Sequence, residues 1–359
     1  MRLLTFAFGL ALAVTGCTTT AYDPGSGGSG GTGGGGSAGS GGGSGSGGSG
    51  GGGGGSSTGG VGSDKSGTLS ADETWSGAIT ITGDVTVAAG VTLTIADGTL
   101  IQVAAGKALL VAGTLLIQGT SATGVSFTPN PTPGTWDGIQ VQMGGAATIS
   151  YTTLNYPTTG LSCAAGVATC ALDHSKVLNY GSVGITLMGP ATIDHVTVDT
   201  GGSGGLLVQG GASDTVTITD SIFHHTGGDA VIADAGNMTL SYSHIYGDMV
   251  GGNAGVHCAT HIATSGLIMA DHNILEDANY GLMASNMTAT SKINYNNFLN
   301  YGSGSTGGAY SPSTGALITA GVDLTNNYWN GQAPPTGTGT TLTTTMYQTT
   351  QVPGCGPRP

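Results

Sequence analysis

Seven side chains in one part of this sequence are of the types that move protons or hold cations. They are His224, His225 and Asp229, then Asp248, then Glu276 and Asp277, with His257 between them. A carboxyl group paired with another carboxyl or an imidazole serves acid/base chemistry when both lie within reach of the same substrate. Clustered carboxylate oxygens also suit calcium, the one cation these loops would take. The acidic groups recur at intervals of roughly 20–30 residues, a spacing that brings them together only if the chain keeps returning to one edge. Loops are polar in any case, so the elements that carry these residues decide whether they form a site.

Those elements are repeats. Leu-Asn-Tyr occurs at Leu154 to Tyr156, Leu178 to Tyr180 and Leu299 to Tyr301, and Asn-Tyr-Gly begins at Asn179, Asn279 and Asn300. A wider pattern sets two polar residues before an apolar one, the apolar position falling at Leu154, Val177, Val196, Ile222, Ile245, Ile274, Phe298 and Tyr328. The mean step is about 25 residues, within the solenoid range. Each repeat holds short β-rich pieces with period-2 alternation, broken by Gly or Asn. In the repeat from Gly255 the expected strands are Gly255 to Cys258, then Leu267 to Ala270, then one beginning at Ile274. Helical periodicity is absent. A stack of such coils, each pairing with the next at about 4.8 Å, buries a continuous apolar column.

Residues 79 to 330 resemble right-handed parallel β-helix proteins of the pectate-lyase-like type. The resemblance is carried by Gly83-Asp84-Val85-Thr86-Val87 through Gly90 to Ile95 and Asp97-Gly98-Thr99 at the first coils. Trp136-Asp137-Gly138-Ile139 and Asn326-Asn327-Tyr328-Trp329 carry it further on. It implies an all-β, single-stranded right-handed parallel β-helix of about ten coils. It also implies an asparagine ladder in the tight turn between second and third strands, mapping onto Asn273, Asn297 and Asn327, with Ser221 and His244 in earlier coils.

Enzymes of that type work on the outward face of the first strand. With Ile139, Ile185, Leu206, Val256 and Leu282 inward, alternation puts Gln140, Gln142, Thr186, Met188, Leu207, Gln209, Val231, Ala233, His257, Ala259, Met283 and Ser285 outward. That face has no carboxylate and no Arg or Lys. Lyases of the family commonly use Arg or Lys as base, and none is expected there. Polygalacturonase-type hydrolysis needs clustered Asp, and most glycoside hydrolysis needs a pair of carboxyl groups. The catalytic candidates are therefore the loop residues Asp229, Asp248, His257, Glu276 and Asp277. Three Asp-His doublets, Asp173-His174, Asp194-His195 and Asp271-His272, are read as strand neighbours on opposite faces. Tyr156, Tyr180, Tyr280 and Tyr301 are expected to stack at one corner.

Composition closes off other functions. Net charge is −13, and the basic residues are Arg2, Lys65, Lys107, Lys176, Lys292 and Arg358. Nucleic-acid binding needs a basic face, and none is available. At the N-terminus, Arg2 precedes an apolar run from Leu3 to Val14 that reads as an export signal, too short for a membrane span. Val14-Thr15-Gly16-Cys17 resembles the bacterial lipobox, which implies cleavage before Cys17 and lipid attachment to it. Thr18, where inner-membrane retention often has Asp, points by the same resemblance to the outer membrane. Residues 25 to 60 are nearly all Gly and Ser, a tether of roughly 30–35 Å r.m.s. reach. The other four cysteines suggest two disulfides in an exported protein, Cys163 with Cys170 and Cys258 with Cys355.

The expected organisation is a signal over 1–16, a lipidated Cys17 with its tether over 17–62, the β-helix over 63–330 and a C-terminal cap or tail over 331–359. The expected function is a non-catalytic monomer at the outer membrane, on the cell-surface or periplasmic side. It would offer its flank to a polysaccharide or a surface protein and use no cofactor. A polysaccharide-active lyase or glycoside hydrolase is the alternative.

Overall fold

The computed structural model describes residues 63–132, 134–246, 258–262, 266–278, 280–284, 290–300, 308–311, 323–331 and 346–359. All of them fall in the larger of two units, residues 56–359. Among them every strand pairing is parallel, and the chain winds as a right-handed β-helix of about nine turns.

Each turn contributes one strand to each of three ladders. The first ladder runs from Ala108–Val111 through Leu161–Cys163, Val183–Leu187, Gly204–Gln209 and Val231–Ala235 to Gly308–Ser311. The second is a ten-stranded sheet from Glu73–Trp75 to Lys292–Asn294. The third runs from Leu100–Ala104 through Lys176–Tyr180, Thr197–Gly201, Ile222–Thr226, His244–Tyr246 and Ile274–Glu276 to Tyr328–Trp329. Before them the long strand Ala78–Val87 serves both ladders, the third from Ile79 and the first from Val85, and Ser63–Leu69 pairs along both halves of it.

Inward residues stack rung on rung. In the third ladder the buried column is Leu154, Val177, Val198, Phe223, Ile245, Leu275, Phe298 and Trp329. The apolar repeat read from sequence therefore mixed two registers. Ile222, Ile274 and Tyr328 each precede the buried residue and face outward, and Val196 belongs to the turn before its strand. Large rings close the core at intervals: Phe127 stacks on Trp136 at 5.4 Å, and Phe298 on Trp329 at 4.4 Å. At the start, Trp75 is buried and donates its indole N–H to Glu73, which also takes Lys65.

The first ladder corrects a second register. Val231 pairs with Leu206 and Ala233 with Val208, and both are buried rather than outward. Ile232 and Asp234 take the outward positions, so this face does carry a carboxylate. The loop before Val231 shifted the strand by one residue, which exchanges core and surface. In the next strand, Cys258–Ile262, Thr260 pairs with both Val231 and Leu282. The inward position expected at Val256 thus belongs to Thr260. Val256, His257 and Ser285 lie outside the described residues, as do the side chains of Ala259 and Met283.

The amide ladder also sits elsewhere in part. Its rungs are Ser221, Ser243, Asn273, Asn296 and Asn327, each accepting a backbone N–H from the preceding coil at 2.8–3.2 Å. The buried amide nitrogens donate onward, Asn273 to the Leu240 carbonyl, Asn296 to Ala270 and Asn327 to Ile293. Asn297 and His244 are not rungs. Asn297 begins the next strand and exchanges two hydrogen bonds with the backbone of Val352. His244 begins its strand and faces outward.

Cys163 and Cys170 are joined by a disulfide across the turn from first to second ladder. The expected Cys258–Cys355 bridge is not made: Cys355 is a free thiol that donates to the Tyr295 carbonyl at 3.2 Å. The side chain of Cys258 lies outside the described ones. The tyrosine corner dissolves as well. Tyr156 sits in a left-handed turn, whereas Tyr180 is buried in a strand, where Gly201 leaves room for its ring. The side chain of Tyr280 and all of Tyr301 lie outside the described residues.

Candidate functional site

The tight turn from second to third ladder repeats one conformation. Its corner residue has positive φ in every coil from Tyr151 on: Tyr151 (47°), His174 (42°), His195 (50°), Asp220 (48°), Tyr242 (51°), His272 (54°), Tyr295 (59°) and Asn326 (61°). The ladder residue follows it inward. A left-handed residue breaks the alternation of the strand before it, so the corner side chain turns out to the same side as the residue it follows. The Asp-His doublets are therefore not split across two faces. His174 Nδ1 lies 2.6 Å from Asp173, His195 Nδ1 3.1 Å from Asp194, and His272 Nδ1 2.8 Å from Asp271. The recurrence of the doublet before a turn was the available signal, and reading it by strand alternation hid it.

Successive corner rings stack along the helix axis. Tyr151 lies on His174 at 4.6 Å, and His174 on His195 at 4.5 Å with planes 2° apart. Further along, Tyr242, His272 and Tyr295 form a second stack. Between the two stacks stands Asp220, buried, and Arg358 reaches it from the end of the chain. The Arg358 guanidinium donates twice to that carboxylate, at 2.8 and 2.6 Å, and its backbone N–H donates at 2.9 Å. These bonds hold the Asp220 carboxyl below its ordinary range.

Residues 346–359 run back over this corner. Met346 accepts from Asn326, Gln348 donates to Asn327, Val352 pairs with Asn297, and Gly356 donates to the His272 carbonyl. Arg358 then lies over the Tyr242 ring at 3.8 Å. The tail thus covers the corner from Asn326 back to Asp220. Burial raises the Cys355 thiol to about 11.

A second cluster lies on the outward face of the third ladder. Asp199, His224, Tyr246 and Glu276 follow one another there, one per coil. His244 Nε2 is 2.9 Å from Glu276 Oε1, and the His224 and Tyr246 rings pack at 4.3 Å. His224 Nδ1 is 3.7 Å from Asp199. Burial lowers the His244 pKa against the opposing pull of Glu276. Burial, then Glu276 and Asp277, raise that of Tyr246. Of the loop residues expected to act together, the structure joins Glu276 and Asp277 to His244 and Tyr246, partners that had not been singled out. Asp229 lies in the turn leading to Val231–Ala235. Asp248 and His257 lie outside the described residues, and so does the side chain of His225.

The outward face of the first ladder is mild. Gln140, Ser162, Thr186, Leu207 and Ile232 form one row across successive coils. Beside it stand Gln142, Met188, Gln209 and Asp234, with Gln209 donating to Asp234 at 3.4 Å. Two groups of described residues have donor atoms gathered closely enough to share a cation. Asp173, His174 and His195 form one and Asp194, His195 and Asp220 the other, each within 4.8 Å.

Residues 108–260 match the family model described as "Right handed beta helix region". No curated protein matches the chain.

Proposed function

We propose that this chain is an outer-membrane lipoprotein that binds a polysaccharide along the flank of its β-helix and does not cleave it. The observation that carries this reading is the first-ladder face. Its row places one uncharged side chain on each coil at about 4.8 Å, amide and hydroxyl at Gln140, Ser162 and Thr186 and apolar at Leu207 and Ile232, so that an extended polymer meets polar and then apolar contacts along it. Hydrogen-bonding groups on a flat, weakly charged surface suit neutral hydroxyls better than they suit a phosphate or a basic protein. Lipid on Cys17 and the Gly/Ser tether would hold that surface clear of the membrane, facing either the cell exterior or the periplasm. No resident cofactor enters this reading.

Equilibrium binding of the full chain in detergent to a panel of neutral and acidic polysaccharides tests it, with product analysis on the same mixtures. Saturable binding that falls at least tenfold in a Gln140→Ala/Thr186→Ala double variant is the expected result. New reducing ends or unsaturated products would overturn it. The competing reading, a lyase or glycoside hydrolase, draws on Glu276, Asp277 and His244 on the third ladder. It requires products that vanish in Glu276→Gln. Cys17→Ser tests the anchor separately: the variant should leave the membrane fraction, and retention after a salt wash would refute lipidation.

A further inference from the structure

The stacked corner before the tail holds donors that the polysaccharide face does not use. Asp173, His174 and His195 bring one carboxylate and two imidazoles within 4.8 Å, on two successive coils. We propose that this corner binds one divalent transition-metal ion of the zinc type through these three side chains, water completing the shell.

The chemistry selects the class of ion. Imidazole nitrogen with a single carboxylate suits zinc, copper or nickel, whereas calcium and magnesium prefer all-oxygen shells. Placement on the fold supplies the rest. The left-handed turn puts His174 and His195 at equivalent positions of adjacent coils, so their separation is set by the strand spacing. Asp173 already lies 2.6 Å from His174 Nδ1, closer than two ligands around one ion need to be. His195 Nδ1 is buried and, although 3.1 Å from Asp194, makes no well-directed hydrogen bond, which leaves that imidazole with a nitrogen to spare. Asp194 is steadied in turn by the Thr219 hydroxyl.

Parallel rings cannot both hold an ion in their planes, so binding requires the two to tilt toward each other. His χ2 is a broad torsion, and the His174 side chain is 39% exposed, so its ring can turn about χ2 at the cost of its stacking between Tyr151 and His195. The neighbouring group of Asp194, His195 and Asp220 is closed to a cation by the Arg358 guanidinium on Asp220. That confines the ion to the Asp173 side of His195.

Zinc titration of the metal-free full chain by calorimetry, with cobalt(II) absorption as a second readout of imidazole ligation, tests the site. One equivalent of zinc should bind. His174→Ala, His195→Ala and Asp173→Asn should each weaken it at least tenfold and abolish the cobalt spectrum. His272→Ala is the control: it belongs to a doublet of the same shape whose ring stacks on tyrosines and not on a second imidazole. It should leave zinc binding unchanged. Circular dichroism of each variant verifies the fold before titration. Absence of saturable zinc binding below millimolar concentration would overturn the proposal. So would binding that survives both histidine substitutions, or that depends equally on His272.

Discussion

Asn296 and Asn297 are adjacent and both buried, and the same substitution should cost far more at the first than at the second. Asn296 Oδ1 accepts from the backbone N–H of Asn273 at 3.0 Å and from its side-chain amide at 2.9 Å. Its Nδ2 donates to the carbonyls of Ala270 and Asn294 and to Asn327 Oδ1. In Asn296→Ala the side chain of Asn273 keeps Leu240, and Asn327 keeps the backbone N–H of residue 296. The backbone N–H of Asn273 keeps no partner. One orphaned buried donor costs about 1–3 kcal/mol. With the lost network bonds and the small void, the expected destabilisation is about 2–4 kcal/mol. Asn297→Ala removes only the pair of bonds to Val352, and a released tail regains water for those groups. Its cost should be about 1 kcal/mol. Urea unfolding of the two variants, with hydrogen exchange at the Asn273 amide, distinguishes them. Asn296→Ser should recover part of the loss, because serine already serves as the rung at Ser221 and Ser243. A larger loss for Asn297→Ala than for Asn296→Ala would refute the register of the ladder.

At the C-terminal end, Trp329→Ala removes a fully buried ring stacked on Phe298 and should cost about 3–5 kcal/mol in urea unfolding. Arg358→Ala should free the tail from Asp220 and speed alkylation of Cys355, located by peptide mapping, at least tenfold while leaving the far-ultraviolet spectrum unchanged. A labelling rate equal to wild type would show that the clamp does not hold the tail. Stability should fall in two stages as pH is lowered. His244 is kept neutral by burial, so its contribution is present above its ordinary value of 6.5 and is lost as pH falls through its lower folded value. Asp220 is held down by Arg358, so its contribution is present above the ordinary carboxylate range and is lost as pH falls through the folded value. Urea midpoints from pH 8 to pH 3 should lose the upper stage in His244→Gln and the lower in Asp220→Asn.

Solenoid class was legible because it rests on many weak signals that agree: short β-rich pieces, regular punctuation by Gly and Asn, and no helical period. Register was not, because neighbouring positions of one coil satisfy the same pattern. Val196, Ile222 and Ile274 each satisfy a pattern of two polar residues before an apolar one, yet none belongs to the buried strand column: Val196 is buried in the turn, and Ile222 and Ile274 sit one place before Phe223 and Leu275. Asn296 and Asn297 offer the same side chain twice, and only the hydrogen bonds to Asn273 and Val352 separate rung from strand. Alternation alone put Val231 outward, whereas its pairing with Leu206, after a turn through Gly227 and Gly228 whose length alternation does not fix, puts it in the core. The clustering of Glu276 with His244 follows from pairing between coils thirty-two residues apart in sequence, which no local pattern encodes.

The left-handed corner explains why chemistry gathered where the sequence reading denied it. Along a strand, period-2 alternation sends every second side chain into the core, so neighbouring polar residues seldom cooperate. A residue of positive φ at this corner suspends that rule, and because every coil from Tyr151 on has one there, the exceptions align into a column along the axis. Asn, Asp and His are the non-glycine residues that most readily adopt this conformation, so the steric demand of the turn itself enriches the column in groups that bind protons and metals. Five of those eight corners are then covered: the tail takes the coils from Asp220 to Asn326 and places its one guanidinium on the buried carboxylate at the boundary. Among the described residues the corners that the tail does not cover are Tyr151, His174 and His195, and two of them bring with their aspartates the donors of the proposed cation site.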